Sequence, residues 1–357
     1  MDHQYQKFFL AANSCKGFVS HFADNYDPAD GWRVFLVKGG PGTGKSSFMK
    51  HFAYHANQVG EVALLCPCSS DPGSLDGVIL PGKKILLLDA TAPHTVDPKL
   101  PGACENLVDL GQFWNSEQLR KNAAEIMEIG QENGRFHAKA KRYLLAAGKV
   151  AESRLALAEA SVDTDRCARF TERLCHRLLP VKTVVNHREW PRFLQGVTPN
   201  EIVDYTESLL PHFGNRIVLC DPYGAVSKIF MQTVRACAKR SGYEVIVAYN
   251  PFLPDIVDHV LIPELSLAFF TERYIGQIPC DERRIHARRF HDVAALHGCR
   301  EKMNFDRRVM AELLKEASIC LKQAKAVHDD LEEFYIHTMD FPALTDFAED
   351  FTAKVLQ

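Results

Sequence analysis

One stretch near the N-terminus constrains the fold more than any other: an apolar strand that runs directly into a glycine-rich loop. Residues 33–37 contain the run Val-Phe-Leu-Val, and residues 39–47 read Gly-Gly-Pro-Gly-Thr-Gly-Lys-Ser-Ser. The loop satisfies the phosphate-binding pattern G-x-x-x-x-G-K-[ST]. Apolar side chains then recur at helical spacing from Phe48 to Ala53. The order strand, loop and helix predicts an α/β fold.

The residue types of this loop match the chemistry of phosphate binding. Glycines allow the backbone N–H groups to turn inward, and the positive N-terminus of the following helix points at the anion. A lysine at the pattern's end reaches the outer phosphates, and a serine hydroxyl binds Mg²⁺. We therefore predict that ATP with Mg²⁺ binds to Gly39, Gly40, Pro41, Gly42, Thr43, Gly44, Lys45, Ser46 and Ser47.

A second metal ligand is expected at the end of another apolar strand. Asp89 follows the run Ile-Leu-Leu-Leu, so we predict that Ser46 and Asp89 hold Mg²⁺, with Lys45 and Asp89 in the catalytic set. The alternative is that Asp89 caps a turn before Thr91. The next residue is Ala90, where many motor ATPases have a water-activating glutamate, and fast hydrolysis is therefore not expected.

The chain contains a faint internal repeat. At a shift of 182 residues, Gly42, Phe48, Met49, Ala56, Gly60, Pro72, Asp76, Val78 and Pro81 fall on identical residue types, from Gly224 to Pro263. The shift is 184 near Phe9 and 177 near Asp163. We predict a duplicated three-layer sandwich of parallel strands and helices, with each short first strand followed by a helix. The predicted domains are residues 1–180 and residues 181–357.

Each copy ends in a long helical pattern. Apolar residues recur three and four apart between Met310 and Phe334, and again between Leu144 and Val162. This spacing is typical of a coiled-coil seam, and it predicts long helical arms. Ordinary packing of these helices on the sheet is the alternative.

The second copy lacks the phosphate-binding residues. At the shift of 182, Gly39, Gly44, Lys45 and Ser46 fall on Asp221, Val226, Ser227 and Lys228. An aspartate repels phosphate, and valine adds a Cβ where glycine is needed. We expect no triphosphate at this second position. The four arginines Arg283, Arg284, Arg288 and Arg289 lie in a helix-like run, which is typical of a solvated helix face. The alternative is that one of them is an arginine finger for the first loop.

Polar side chains beside the first loop are candidates for acceptor binding, general base catalysis or γ-phosphate sensing. They are Asp71, Asp76, Thr91 and His94. Each residue type also forms turns and caps. His94 is the catalytic candidate among them, because Asp76 has a counterpart in Asp258 whereas His94 falls on a glycine. Cys66 and Cys68 are either half of a metal site or, as we favour, buried thiols.

Composition narrows the remaining functions. A net charge of -3 and a pI of about 6.6 give no strong signal for nucleic-acid binding. The 11 cysteines are scattered, the N-terminus does not resemble a signal peptide, and no apolar run is long enough for a membrane span. These features predict a cytoplasmic protein.

The motifs of residues 38–94 resemble those of uncharacterised bacterial ATPases with tandem P-loop domains. The resemblance implies ATP binding at the first loop and a duplicated P-loop fold, and the chain departs from that family at residues 221–228. The chain has no Asn-Lys-x-Asp motif, which favours ATP over GTP, and no Leu-Ser-Gly-Gly-Gln signature of ABC-type ATPases. Two functions remain: a phosphotransferase or slow ATPase with an unknown acceptor, or an ATP-gated switch whose arms bind a protein partner.

Overall fold

The structure, a computed structural model, describes residues 5–92, 95–183, 187–273, 278 and 283–357. These residues form an α/β protein in which strands and helices of the two sequence halves follow one another in the same order. The first half contains β1 (Gln6–Lys7), β2 (Ala11–Ser14), β3 (Gly17–Ser20), β4 (Arg33–Lys38), α1 (Lys45–Gln58), β5 (Leu64–Pro67), β6 (Leu75–Leu80), β7 (Ile85–Asp89), β8 (Glu105–Asp109), α2 (Ser116–Lys121), α3 (Ala123–Glu159) and α4 (Thr164–Leu178).

The second half repeats this layout, with one additional short helix. It contains β9 (Glu189–Phe193), β10 (Gln195–Thr198), β11 (Glu201–Asp204), α5 (Thr206–Leu209), β12 (Asn215–Cys220), α6 (Ala225–Ser241), β13 (Val245–Tyr249), β14 (Val257–Ile262), β15 (Leu267–Glu272), β16 (Arg283–His286), α7 (Val293–Gly298), α8 (Arg300–Ile336) and α9 (Phe341–Leu356).

Each half builds a mixed sheet of six strands within the described residues. The strand orders are β1-β5-β6-β7-β4-β8 and β9-β13-β14-β15-β12-β16, so equivalent strands occupy equivalent places. The strands at the centre of each sheet are buried along nearly their whole length because helices or the other half cover both faces.

The prediction of parallel strands is wrong for β6 and β14, which run antiparallel to both neighbours. A parallel crossover needs about a dozen residues or more, and the turns at residues 68–74 and 81–84 are too short for one. Asp76, one of the candidates beside the first loop, therefore lies inside β6. The helix expected after each first strand is also wrong, because the hairpins β2–β3 and β10–β11 occupy these positions.

The geometry agrees with the sequence repeat in detail. Leu64 pairs with Ile79 and Ile246 pairs with Leu261, a shift of 182 in both partners, and both hairpins are irregular at the same place. The long helices α3 and α8 have 37 residues each and begin 177 residues apart. The equivalent residues Phe9 and Phe193 exchange two backbone hydrogen bonds of 2.8 and 2.9 Å, which join the two halves.

The two halves exchange their last helices. Helices α3 and α8 pack along each other through a cluster that includes Leu144 and Leu321. After this pair, α4 packs on α6 of the second half through Leu174, whereas α9 packs on α1 of the first half through Leu344. Each sheet is thus covered by a helix from the other half of the sequence. In the described residues, no helix combines the length and apolar character that crossing a membrane requires.

Candidate functional site

The glycine-rich loop of the first half connects β4 to α1, at the carboxyl end of the central strand. Helix α1 begins at Lys45, and Gly44 precedes it as the N-cap with φ of 80°. Gly42 also has a positive φ, 65°. Glycine is needed at these two positions because side-chain-bearing residues are strained in this region. The strand, loop and helix therefore follow each other as the sequence pattern predicts.

Lys45 folds back over the loop. Its Nζ donates hydrogen bonds to the carbonyl oxygens of Gly39 and Gly40, at 2.9 and 2.6 Å. The same Nζ lies 3.7 Å from Oδ2 of Asp89, and both side chains are largely buried. A cation and a carboxylate thus meet beside the loop, where they can respond to a bound anion or a metal ion.

Asp89 ends β7, directly beside β4, since Val37 and Asp89 are partners in the parallel ladder. Its Oδ1 accepts a hydrogen bond of 2.9 Å from the N–H of Thr91. The Thr91 hydroxyl donates to the carbonyl oxygen of Gly39 at 2.9 Å, and Gly39 N–H lies 3.3 Å from that hydroxyl. Asp89 therefore has the turn-forming contact that we considered, while its second oxygen faces Lys45.

Ser46 lies in the first turn of α1. Its hydroxyl oxygen accepts a hydrogen bond of 3.1 Å from the N–H of Leu75, at the start of β6. Clusters of three or more His, Cys, Asp or Glu side chains that could hold a metal are absent from the described residues. A magnesium ion bound by one hydroxyl, one carboxylate and phosphate oxygens does not require such a cluster.

The end of α8 covers this loop. Glu332 accepts a hydrogen bond of 3.3 Å from the N–H of Gly42 through Oε1. A Cβ on Gly40 would lie 2.5 Å from the ring of Tyr335, and one on Gly42 would lie 2.7 Å from the carbonyl oxygen of Glu332. The Gly42 amide thus already donates to an anionic group, and that group belongs to the protein.

The hydrogen bond from His328 lowers the pKa of Glu332, the Gly42 N–H and the charge of Lys325 add to this effect, and burial opposes it. The carboxylate is therefore held in its charged form at the loop. Glu332 could not be identified from the sequence because it lies 290 residues from Gly42 and belongs to no motif. Only the pairing of α3 with α8 and the helix exchange bring it to the loop.

Other candidate residues have structural contacts. Asp71 accepts hydrogen bonds from Gly73 N–H and the Ser74 hydroxyl, in the role of a turn former. Asp76 is 2% exposed within β6. His94 lies outside the described residues. Burial raises the pKa of the Cys66 thiol to about 12, which disfavours the thiolate that a metal site needs.

The equivalent loop of the second half is shorter and closed by its own side chain. Helix α6 begins at Ala225, so that only residues 221–224 connect it to β12. Val226, which we expected in the loop, is buried in α6 instead, because the helix starts earlier. Asp221 is completely buried and accepts hydrogen bonds from the N–H groups of Tyr223 and Ser227. Its carboxylate thus satisfies amides that could otherwise bind an anion.

The four arginines of the second half do not form the helix that we expected. Arg283 and Arg284 lie in β16, and Arg288 and Arg289 lie in the 3₁₀ turn that follows it. Arg284 is ion-paired with Glu272 at 2.5 Å, and the Arg289 guanidinium lies 4.6 Å from the ring centroid of Phe170. Arg284 is thus paired within the second half, whereas Arg289 packs on α4, the helix that the first half places on the second sheet.

Comparisons with protein-family models, with curated proteins and with solved structures find no match for this chain. The class of this chain therefore follows from its own structure. It is an α/β protein of two similar halves, each with a six-stranded mixed sheet in the described residues and a long helical arm. One half carries a glycine-rich loop with a lysine and an aspartate beside it.

Proposed function

We propose that this chain is a P-loop protein that binds Mg·ATP at the loop of its first half and nowhere in the second. The observation that carries the proposal is the meeting of Lys45 and Asp89, 3.7 Å apart, at the junction of β4, the glycine-rich loop and α1. The hydrogen bond that Gly42 N–H donates to a carboxylate adds support, because this loop amide already has an anionic partner.

The residues would divide the work as follows. Backbone N–H groups of residues 39–44 and the N-terminus of α1 hold phosphate oxygens. Lys45 exchanges its loop carbonyl partners for the outer phosphates, and Ser46 and Asp89 hold Mg²⁺, which neutralises phosphate charge. The sequence supplies no glutamate after Asp89, so the reaction that we propose is phosphoryl transfer to an unknown acceptor or slow hydrolysis.

Calorimetry with Mg·ATP tests the site directly. The intact chain should bind one nucleotide, and Lys45→Ala should weaken binding about 100-fold, since a charge-assisted contact to phosphate is lost. Lys228→Ala is the matched control, because it removes an exposed lysine from the first turn of α6. Equal binding by the wild type and Lys45→Ala, or loss of binding in Lys228→Ala alone, would refute the assignment.

A second function is favoured by the position of Glu332. Its carboxylate and a phosphate group cannot both accept the Gly42 N–H, and Tyr335 stands against Gly40. Nucleotide binding would then displace the end of α8 and alter the arm that a protein partner reads, as in an ATP-gated switch. Turnover of ATP by the purified protein, with and without candidate acceptors, separates an enzyme from a switch that binds ATP without turnover.

A further inference from the structure

A cavity of about 590 Å³ lies beside the closed loop of the second half. It is bounded by α3, α8 and the hairpin β10–β11, and by the segments that follow β12, β13 and β15. The carboxyl ends of sheet strands are the usual place for ligands in α/β proteins, and this volume is within the range of small-molecule sites. The place is equivalent to the region beside the glycine-rich loop of the first half.

The cavity exists because the long helices α3 and α8 carry side chains of different size at equivalent positions. At a shift of 177, Glu332 and Tyr335 of α8 correspond to Leu155 and Ala158 of α3. The α8 side chains reach the glycines of the first loop, whereas the shorter α3 side chains leave open space in front of the second. Arg154, which corresponds to Leu331, lines that space.

The guanidinium of Arg273 lies next to the position at which the second half lacks the loop lysine. Arg273 follows β15, and its Nη2 lies 3.3 Å from the hydroxyl of Ser227, the residue that corresponds to Lys45. Its guanidinium packs against Gly224, where a Cβ would lie 2.8 Å from Nη1. The buried Nε of Arg273 has no hydrogen-bond partner among the described residues. The second half therefore keeps a positive group at its loop, supplied by a neighbouring strand.

Further cations surround the same space. Arg154 is 6% exposed, donates a hydrogen bond to the carbonyl of Pro222 at 2.8 Å and lies 5.4 Å from the ring of Tyr223. Burial lowers the pKa of Arg154 to about 10, and the charges of Arg273 and Arg307 contribute to this shift. Arg307 and Lys315 of α8 also line the cavity. Two carboxylates, those of Glu201 and Glu312, also line the cavity, and Asp258 is ion-paired with Arg273.

The rest of the lining is largely apolar, with the polar side chains of Gln195, Asn250 and Ser318 among it. Ile202, Phe252, Met310 and Leu314 form a wall that is continuous with the cluster between α3 and α8. A triphosphate does not fit this arrangement, because the Asp221 carboxylate already accepts the Ser227 N–H and the loop has no lysine. A single anionic group beside the arginines and an apolar body against the wall do fit it.

We propose that this cavity binds a small organic anion, a carboxylate or a phosphate monoester with an apolar body, as a second ligand site distinct from the glycine-rich loop. The ammonium of the first half and the guanidinium of Arg273 thus serve two different ligands. The site does not depend on nucleotide binding, so it can be tested separately from the proposed ATP site.

Calorimetry on the full chain with octyl phosphate, octanoate, octanol and inorganic phosphate tests the proposal. We expect one of the two amphiphilic anions, or both, to bind once per chain at least tenfold more tightly than octanol or inorganic phosphate. Preference for octanoate or for octyl phosphate identifies the anionic group. Equal binding of octanol would refute recognition of charge, and absence of binding by both anions would refute the site.

Variants locate the binding. Ala311→Trp fills the cavity from α8 and should abolish binding, and Arg307→Ala should weaken it about fivefold or more. Arg273→Met combined with Asp258→Asn removes the central cation without leaving a buried carboxylate unpaired, and should weaken binding tenfold or more. Arg308→Ala, an exposed arginine next in α8, is the matched control and should bind normally.

Lys45→Ala should also bind both anions normally, which separates this site from the ATP site. If Ala311→Trp and Arg307→Ala bind like the wild type, the ligand lies elsewhere and the proposal fails. The same conclusion follows if Lys45→Ala, rather than the cavity variants, loses binding.

Discussion

The two loops start from equivalent strands and have both become closed, but by different means. The first keeps six residues, 39–44, and its Gly42 amide is bound by Glu332 from the arm of the other half. The second has four residues, 221–224, and its own Asp221 accepts hydrogen bonds from the N–H groups of Tyr223 in the loop and Ser227 in the first turn of α6. A carboxylate from a distant helix can be withdrawn when that helix moves, whereas a carboxylate within the loop cannot. The comparison predicts that the first loop can be uncovered by a movement of α8, whereas the second stays filled by its own carboxylate.

The helix exchange makes this difference possible, and removing its anchors should have the largest effect on the molecule. Leu344→Ala and Leu174→Ala each truncate a buried leucine that fixes an exchanged helix on the opposite sheet. We expect each to lower the free energy of unfolding by about 3 kcal/mol, measured by urea denaturation. Leu145→Ala, an exposed leucine of α3, should change it by less than about 0.5 kcal/mol.

If the packing of α9 on α1 also keeps the end of α8 on the first loop, Leu344→Ala should weaken the contact between α8 and that loop. Hydrogen exchange of the α1 and α8 amides should then increase in this variant but not in Leu174→Ala. Equal protection of α8 in both variants would show that α9 does not hold the cover.

A buried histidine, present only in the second half at this position, should make the stability of that half depend on pH. His259 is 3% exposed and its Nδ1 accepts a hydrogen bond of 3.1 Å from Thr271 N–H, while the equivalent residue of the first half is Gly77. Burial lowers the pKa of His259 to about 3, and the charge of Arg273 adds to this effect. The unfolded state therefore binds the proton more readily, and the stability from this residue is present above about pH 6.5 and lost as pH falls toward 3.

Lowering the pH from 7.5 to 5.0 should therefore cost the second half about 2 kcal/mol through His259. The replacement His259→Asn keeps an acceptor for Thr271 and should remove this part of the pH dependence, whatever its effect on absolute stability. His55→Asn changes an exposed histidine of the first half and serves as the control. Urea midpoints at the two pH values measure the effect, and an unchanged pH dependence in His259→Asn would contradict it.

Gly42 tests how closely α8 fits the first loop. Gly42→Ala has two costs: a positive φ, worth about 1 kcal/mol, and a Cβ placed 2.7 Å from the Glu332 carbonyl. Gly60→Ala has only the first, because its φ is 86° and nothing lies within 4 Å. We expect Gly42→Ala to lose about 1–2 kcal/mol more than Gly60→Ala in urea denaturation. Equal losses of unfolding free energy in the two variants would show that the end of α8 moves away from the added Cβ at no cost.

The sequence predicted the parts of this molecule that depend on local chemistry. The glycines, Lys45 and the apolar strands before Lys38 and Asp89 identify the strand, loop and helix, because each residue type has a specific backbone or burial requirement there. The repeat shifts of 182 and 177 likewise match the boundaries of equivalent strands and helices. Both inferences need only neighbours in sequence or a comparison of one half with the other.

The sequence did not predict features that arise from the packing of distant segments. The antiparallel direction of β6 depends on two short turns, and its apolar run alone is equally typical of a parallel strand. The helix exchange leaves no pattern in the sequence, because the apolar face of α4 would be the same whichever of the two sheets it covered. Glu332 and Arg273 became site residues only through these contacts, and neither belongs to a motif.

The smallest expected effect is on the affinity for Mg·ATP, and it tests directly whether Glu332 competes with the nucleotide for the first loop. Glu332→Gln removes the charge that competes with phosphate at the Gly42 N–H, so Mg·ATP should bind about fivefold to tenfold more tightly in calorimetry. Glu333→Gln is the matched control, because Glu333 is exposed on the same helix and pairs with His337 instead. Unchanged or weaker binding by Glu332→Gln would mean that this carboxylate assists the nucleotide, and the two loops would then differ in ligand but not in reversibility.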